Sequence, residues 1–120
     1  MAKFTMKFML AFHDDPRSFD DLTPEQMQQI VQRYNDWAGK LAQEGRMVAG
    51  EKLTDEPGKV MRRSGNDTTV TDGPFSETKE VFGGFFIIHA NSYEDAVAVS
   101  QDCPHLEHGG TIELRAVEAS

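Results

Sequence analysis

The stretch Phe82-Gly83-Gly84-Phe85-Phe86-Ile87-Ile88-His89 decides the fold, because it predicts a strand that is apolar on both faces. Side chains alternate across a strand, so Phe85 and Ile87 share one face. Phe86 and Ile88 share the other face. Helices predicted on either side of the stretch can cover one face. We expect a second subunit to cover the other, so the sequence predicts a homodimer.

Strand and helix patterns follow one another in a simple order around this stretch. The predicted elements are a strand at 3–12, a helix at 24–44, a strand at 46–53, short strands at 60–63 and 68–71, the strand at 82–89, a helix that begins after Ser92 and ends near Pro104, and a strand at 111–117. This order is the split β-α-β plan. The sequence therefore predicts an α+β, ferredoxin-like fold in which the two short strands form an inserted β-hairpin.

The helix at 24–44 has the clearest start and end signals in the chain. Thr23 is a preferred N-cap residue, Pro24 suits the first helical position, and Gln26 completes a capping box. Gly45 is a natural residue to follow the last turn. Apolar residues recur along the helix at helical spacing, so one of its faces is predicted to pack on the sheet.

Composition bounds the class of protein. The 120 residues, of which 38% are hydrophobic and 27% charged, suit one globular domain spanning residues 1–120. The single cysteine, Cys103, excludes an internal disulfide and suits a reducing compartment. The formal net charge of −8 disfavours nucleic-acid and anionic-membrane partners. No stretch has the character of a membrane span or a signal segment, so we expect a cytoplasmic protein.

The chain contains no recognisable cofactor motif. It has no glycine-rich phosphate loop and no dinucleotide fingerprint, so we expect no nucleotide cofactor. A second possibility is a metal, since Asp102, Cys103, His105 and His108 carry metal-binding groups. Pro104 interrupts the helical spacing that would place them on one face. The sequence therefore predicts neither a metal nor another cofactor.

Two segments carry a resemblance to a known family. The first is Thr71-Asp72-Gly73-Pro74-Phe75-Ser76-Glu77-Thr78-Lys79-Glu80 with Gly83-Gly84-Phe85 after it, and the second is the tail at 103–115. Together with the opening Phe8-Met9-Leu10, they resemble the DGPF branch of the YCII-related family over nearly the whole chain. The resemblance implies a ferredoxin-like fold that assembles as a dimeric α+β barrel. It implies no particular reaction.

Relatives in that family are thought to use a His-Asp pair in a cleft, in one case for a dehydrochlorination. The resemblance places the Asp on Asp102, in the element Asp102-Cys103-Pro104. It places the His on Tyr34, about ten residues before Glu44-Gly45-Arg46, so the chain departs from the pattern there. Tyrosine has an ordinary pKa of about 10 and is a poor base, but it can donate a hydrogen bond to a developing oxyanion. Packing in the core is its alternative role.

The segment Asp72-Gly73-Pro74 has two interpretations. In the structural one it is a tight turn, where Asp72 bonds to backbone amides and Gly73 adopts angles closed to other residues. In the functional one the turn lies over a cleft and directs Asp72, Phe75 or Glu77 toward a ligand. Glu77 is likewise either part of a solvated charge run or a second carboxylate beside Asp72.

Histidines supply further candidates for acid–base chemistry. His108, before Gly109-Gly110, is the strongest of them, and its alternative role is that of a hydrogen-bonded structural residue. His13 ends the first strand and is a secondary candidate that would contact a ligand. Asp14 and Asp15, which follow it, are predicted to lie in a solvated loop.

These residues lead to two hypotheses about function. The first is a small-molecule-binding protein with a cleft between the first helix, the Asp72 turn and the sheet. Its catalytic form would be a cofactor-free elimination or isomerisation, with either Asp72 or Asp102, together with His108, as proton carriers. Tyr34 would donate a hydrogen bond. The alternative is a non-catalytic interaction or regulatory protein, because the branch that the chain resembles is often associated with extracytoplasmic-function sigma factors.

Overall fold

The computed structural model describes residues 4–74 and 80–119 of the protein. The strands are β1 (Met6–Asp14), β2 (Met47–Lys52), β3 (Lys59–Ser64), β4 (Asp67–Asp72), β5 (Val81–Ala90) and β6 (Thr111–Val117). The helices are α1 (Pro24–Gln43), α2 (Tyr93–Ser100) and the short α3 (Pro104–Glu107). A 3-10 turn covers Pro16–Phe19, between β1 and α1. The order agrees with the prediction, apart from α3 and this turn.

Four of the strands form one antiparallel sheet in the order β2-β5-β1-β6. The long strands β1 and β5 are neighbours at its centre, where Leu10 lies opposite Phe86 and Phe8 lies opposite Ile88. β6 pairs with the other edge of β1, and β2 pairs with the other edge of β5. The antiparallel sheet with its helices confirms the predicted α+β class and is compatible with a ferredoxin-like fold.

The apolar core lies between the sheet and the helices. β1 contributes Phe8, Leu10 and Phe12, which alternate along the strand and are buried. α1 contributes Trp37 and Leu41 from its packing face. Burial of this apolar surface is the main favourable contribution to folding, and it holds α1 at a fixed position over the end of β1.

The opposite face of the sheet carries apolar side chains that no helix of the described residues covers. Phe85 and Ile87 of β5 point to this face, and Met9 of β1 lies opposite Ile87 in the register of the two strands. All three are only partly buried. The strand that decides the fold is therefore apolar on both faces, as its sequence predicts.

The start of α1 follows its capping signals. The Thr23 side chain accepts a hydrogen bond from the Gln26 backbone N–H at 3.1 Å, and the Gln26 side chain accepts one from the Thr23 N–H at 2.9 Å. This reciprocal pair is a capping box, and such a cap stabilises a helix by about 1 kcal/mol. After the last turn, Gly45 has a φ of 76°, in the left-handed region that favours glycine.

β3 and β4 pair with each other and form a separate two-stranded sheet. Both strands are longer than the sequence predicts, and β4 continues to Asp72. Asp72 therefore ends a strand, opposite Lys59, and the chain bends at Gly73 directly after it. The reason is that backbone pairing with β3 extends one residue beyond the β-branched run of Thr68 to Thr71.

β1 also extends two residues beyond its predicted end. His13 lies opposite Phe82 and Asp14 lies opposite Val81 of β5, and a bulge between Phe12 and His13 shifts the register there. The prediction that Asp14 lies in a solvated loop is wrong, because pairing with β5 carries the strand through this residue. Bulges of this kind often redirect side chains next to functional sites.

Candidate functional site

A cleft of about 1290 Å³ lies between the end of β1, the helix α1 and the loop at 54–57. Phe12 and Phe86 from the sheet and Tyr34 from α1 line part of its wall. The ring centroid of Phe12 is 5.2 Å from that of Phe86 and 6.1 Å from that of Tyr34. The cleft thus has an aromatic wall, and its described part leaves room for a small organic molecule.

Tyr34 and His105 meet in this cleft. The Tyr34 hydroxyl lies 2.7 Å from His105 Nδ1, and His105 Nε2 lies 2.9 Å from the backbone carbonyl oxygen of His13. A carbonyl oxygen only accepts hydrogen bonds, so Nε2 carries the proton of the neutral ring. Nδ1 then accepts the hydrogen bond that the Tyr34 hydroxyl donates. The two contacts together fix the tautomer of His105 and the direction of the Tyr34 O–H bond.

The position of His105 follows from the local sequence. Pro104 occupies the first turn of α3, where proline is favoured, and Cys103 before it is extended. The His105 side chain is buried, and its ring centroid lies 4.9 Å from that of Phe12. Gly110 passes so close to the imidazole that a Cβ atom at this position would overlap the ring. Glycine at this position therefore leaves the space that His105 occupies.

Asp14 brings a carboxyl group into the same cleft from the end of β1. Burial raises its pKa above the ordinary value, and the neighbouring carboxylates of Asp55 and Asp15 raise it further. His105 and Lys52 act in the opposite direction without cancelling the rise. The shift brings the pKa of Asp14 closer to neutral pH, which suits a group that takes up and releases protons.

Tyr34 and Cys103 keep their protons at neutral pH. Burial raises the pKa of Tyr34 far above its usual value, and Cys103 and Asp14 add to the rise. Burial also raises the pKa of Cys103 to about 11. Cys103 lies in the core, so its thiol acts as a packing group and not as a nucleophile. Tyr34 is suited to donate a hydrogen bond and unsuited to act as a base.

The charged groups around the cleft are mostly acidic. Of the described residues that line it, seven are Asp or Glu, and Lys52 alone is Lys or Arg. The seven are Asp14, Asp20, Glu51, Asp55, Glu56, Glu80 and Glu113. The excess of acidic over basic residues is therefore larger in this lining than in the whole chain, which has 20 acidic and 12 basic residues.

His13 is the second candidate from the sequence, besides Tyr34, that lines the cleft. Its Nε2 lies 3.2 Å from a carboxylate oxygen of Glu113, and its ring centroid lies 5.8 Å from that of Phe82. His13 thus takes part in two ways. Its backbone carbonyl accepts a hydrogen bond from His105, while its side chain belongs to the acidic rim.

Asp72 and Asp102 do not line the cleft. Asp72 forms an ion pair with Lys59 at the end of the β3–β4 sheet, where its side chain is 77% exposed. Asp102 accepts hydrogen bonds from Lys40 at 2.6 Å and from Trp37 at 2.9 Å, both residues of α1. The Lys40 hydrogen bond lowers the pKa of Asp102. Both carboxylates are occupied by lysines away from the cleft.

His108 follows α3 and is likewise not part of the lining of the cleft. Its Nε2 has no hydrogen-bond partner among the described residues. Burial lowers its pKa, and the charges of Arg33 and His105 lower it further, so the ring is neutral at pH 7. Two other predicted ligand contacts, Phe75 and Glu77, lie outside the described residues.

Two residues of the cleft are not predicted from the sequence to belong to a catalytic site, since His105 is considered there only as a metal-binding group and Asp14 only as part of a loop. From the sequence, Pro104 is interpreted as an interruption of a helix. Proline is also favoured in the first turn of a helix, and α3 begins at Pro104. This preference is the sequence signal that would place His105 on a helix. For Asp14 the signal is weaker, since a polar pair directly after an apolar strand is compatible with both a loop and a strand end.

Two further observations concern residues 4–74 and 80–119 only. No three His, Cys, Asp or Glu side chains in these ranges form a group that could hold a metal ion. No helix within them has the length and apolar character needed to cross a membrane.

The raised pKa of Asp14 predicts a pH-dependent cost to folding. The folded protein binds this proton more tightly than the unfolded chain, so stability falls as the pH rises from 3.8 through the raised folded pKa. Asp14→Asn removes the buried charge and should unfold at a higher urea concentration than the wild type at pH 7. The difference should shrink as the pH is lowered toward 3.8.

Asp102→Asn is the matched control, because the pKa of Asp102 is lowered by the hydrogen bond from Lys40. Its carboxylate stabilises the fold above the ordinary pKa, and this contribution is lost as the pH falls through the folded pKa. The control variant should be less stable than the wild type at pH 7. An Asp14→Asn variant that is destabilised there in the same way would contradict the raised pKa.

The hydrogen bonds of His105 predict the proton distribution in its ring. Long-range proton–nitrogen NMR correlations at mildly alkaline pH should identify Nε2 as the protonated nitrogen and Nδ1 as the unprotonated one. In Tyr34→Phe the Nδ1 resonance should move, because its donor is gone, while Nε2 stays protonated. A wild-type spectrum with the proton on Nδ1 would show that the assigned donor and acceptor roles are reversed.

Comparisons with known proteins agree with the resemblance noted in the sequence. The YCII-related domain family matches residues 6–119. An uncharacterised protein of Rhizobium meliloti (strain 1021) is 33% identical over 103 residues, which are 85% of this chain and 74% of that protein. The family match spans the main sheet, both long helices and the described lining of the cleft. The chain therefore belongs to the YCII-related family.

Proposed function

We propose that the cleft binds a small organic molecule and that the protein catalyses a cofactor-free proton transfer on it, either an elimination or an isomerisation. The observation that carries the proposal is the hydrogen bond between Tyr34 and His105 beside Asp14, in a cleft that the described side chains leave open. Partly buried titratable groups that converge on an open cleft are typical of active sites.

Asp14 is the proton carrier in this proposal. Its carboxylate removes a proton from a carbon atom of the bound molecule, and the electron pair of the broken C–H bond forms a new double bond. In an elimination the leaving group then departs with its own electron pair. In an isomerisation Asp14 returns the proton to a different carbon atom. The raised pKa of Asp14 favours both the removal and the return of the proton.

Tyr34 stabilises the negative charge that develops on an oxygen atom of the molecule, by donating a hydrogen bond from its hydroxyl. His105 is a positioning residue, because both of its ring nitrogens are engaged with protein groups. Binding of the molecule would turn the Tyr34 O–H from His105 Nδ1 toward the oxygen atom on which the charge develops. The Tyr34 hydroxyl can thus donate its hydrogen bond either to His105 or to the ligand.

Exchange with deuterated solvent tests this function. The protein is incubated in heavy water with a panel of small carbon acids that carry a carbonyl group and either a leaving group or a carbon–carbon double bond. NMR then follows the incorporation of deuterium at carbon. We expect at least one panel member to exchange, with losses of roughly 10²–10⁴-fold in Asp14→Asn and in Tyr34→Phe.

Asp72→Asn and Asp102→Asn are the control variants, because both carboxylates lie outside the cleft and are paired with lysines. They should retain the exchange rate of the wild type. A comparable loss in all four variants would contradict the assignment of Asp14 and Tyr34. Exchange no faster than in buffer for every panel member would count against catalysis in this cleft.

A homodimer arranged as a dimeric α+β barrel is the assembly that we propose for this fold. Support comes from the uncovered apolar side chains Met9, Phe85 and Ile87 on the open face of the sheet. Contact with a second copy would remove this surface from water, at roughly 25 cal/mol per Å² of apolar area. The segment Asp72-Gly73-Pro74-Phe75 further supports a place in the DGPF branch of the family.

Light scattering after size-exclusion chromatography should give about twice the chain mass of 13.4 kDa. Ile87→Glu should yield the single-chain mass, because a carboxylate on the open face would have to lose its water in the dimer. Val97→Glu, on the exposed side of α2, is the matched control and should leave the mass unchanged. A wild-type protein that runs at the mass of one chain at micromolar concentration would refute the dimer.

The alternative function, a non-catalytic interaction or regulatory protein linked to sigma-factor signalling, stays a prediction. An interaction scaffold needs no open cleft with buried titratable groups. The cleft beside Tyr34 and His105 therefore favours the small-molecule hypothesis over the regulatory one.

A further inference from the structure

The charge of the cleft is far from balanced. The described residues that line it include seven Asp or Glu and one Lys, whereas the whole chain has 20 acidic and 12 basic residues. Acidic residues thus predominate among the described residues around the cleft. A cleft with charges of one sign and apolar walls focuses its electric field and concentrates ligands of the opposite sign.

Ion pairs among the described residues neutralise only some of these carboxylates. Asp55 lies 3.6 Å from Lys52, and Glu113 lies 3.2 Å from His13. Within the described ranges, no ion pair is formed by Asp14, Asp20, Glu51 or Glu56. Asp14, the carboxylate near the Tyr34–His105 pair, therefore has no cation of the described residues within ion-pair distance, although Lys52 acts on it from farther away. A ligand with a positive charge would supply one.

The walls of the cleft suit the body of such a ligand. Phe12, Tyr34 and Phe86 present aromatic rings at its inner end, and Phe19 and Phe82 lie along its lining. The faces of aromatic rings attract ammonium groups as well as apolar carbon. A strongly hydrated metal ion would gain little from such walls. An organic cation gains from both the rings and the carboxylates.

We propose that the ligand of the cleft is a small organic cation, namely an amine or a quaternary ammonium compound with an apolar body. The proposal rests on the proposed function and names the substrate class of the same site. The positive group lies among the carboxylates of Asp14, Asp55 and Glu56, and the apolar body lies against Phe12 and Phe86. An organic anion would be repelled by the same carboxylates.

A trio of probes with one ring and different charges tests the inference. Benzylammonium is the cation, benzyl alcohol the neutral analogue and benzoate the anion. Each is titrated into the full-length protein while backbone amide NMR signals of cleft residues such as Gly84 and His105 are followed. We expect benzylammonium to bind about 5-fold or more tightly than benzyl alcohol at low ionic strength. Benzoate should bind weakest, and added salt should narrow the differences.

Asp14→Asn should reduce the preference for benzylammonium over benzyl alcohol, because it removes a cleft carboxylate whose charge is felt at Tyr34 and His105. Asp36→Asn makes the same chemical change on the exposed side of α1, outside the cleft, and should leave the preference intact. Circular dichroism confirms that both variants are folded. An equal loss of preference in both variants would mean that the overall charge attracts the cation and would overturn the inference.

The outcomes separate this inference from the proposed function. If benzyl alcohol binds in the cleft as tightly as benzylammonium, the cation inference fails while small-molecule binding stands. Tighter binding of benzoate would overturn the inference in the same way. If none of the three probes shifts the signals of cleft residues, both the inference and the binding function lose their support.

Discussion

The pairing of β1 with β5 is the constraint on which the rest of the structure depends. The two strands form the centre of the sheet and keep their register up to Phe12, which lies opposite Gly84. One residue later His13 lies opposite Phe82, so Gly83 of β5 is passed over. A glycine is easily accommodated in such a bulge, because it has no side chain to pack. The bulge sets the direction in which the last residues of β1 approach the cleft.

The Tyr34–His105 contact joins parts of the chain that the sheet alone does not connect. Tyr34 belongs to α1, His105 belongs to α3, and the carbonyl group that accepts from His105 belongs to β1. Three elements are thus tied at one point by two short hydrogen bonds. Because one member is a buried imidazole with both nitrogens engaged, its orientation cannot change without breaking a contact.

The fold could be predicted from the sequence more fully than the site. The bounds of α1 follow from Thr23 and Gly45, and β5 follows from a continuous run of apolar residues. Both signals are local in the sequence. The site combines residues far apart in the chain, and 71 positions separate Tyr34 from His105. Tyr34 was accessible to sequence reasoning through the family resemblance. His105 was not, because the sequence does not say which element α3 packs against.

The carboxylates show the same limit of prediction from sequence, because the two that stand in motifs lie outside the cleft and one that stands in no motif lines it. Asp72 and Asp102 stand in recognisable motifs, yet both are paired with lysines distant in the sequence. Asp72 pairs with a lysine 13 positions away, and Asp102 with one 62 positions away. Asp14 stands in no motif, and it acquires its raised pKa mainly from burial in the folded protein. The chemistry of a carboxyl group depends on its surroundings, and surroundings are a property of the tertiary structure.

The acceptor for the His105 proton is a main-chain carbonyl, and every amino acid supplies that group at position 13. The location of the proton is therefore independent of the side chain that stands there. The side chain at position 13 belongs to the rim of the cleft, so changes at this position can alter which molecule is recognised. The main chain and the side chain of residue 13 thus have separate roles. A change of the side chain can alter ligand recognition and leave the protonation of His105 unchanged.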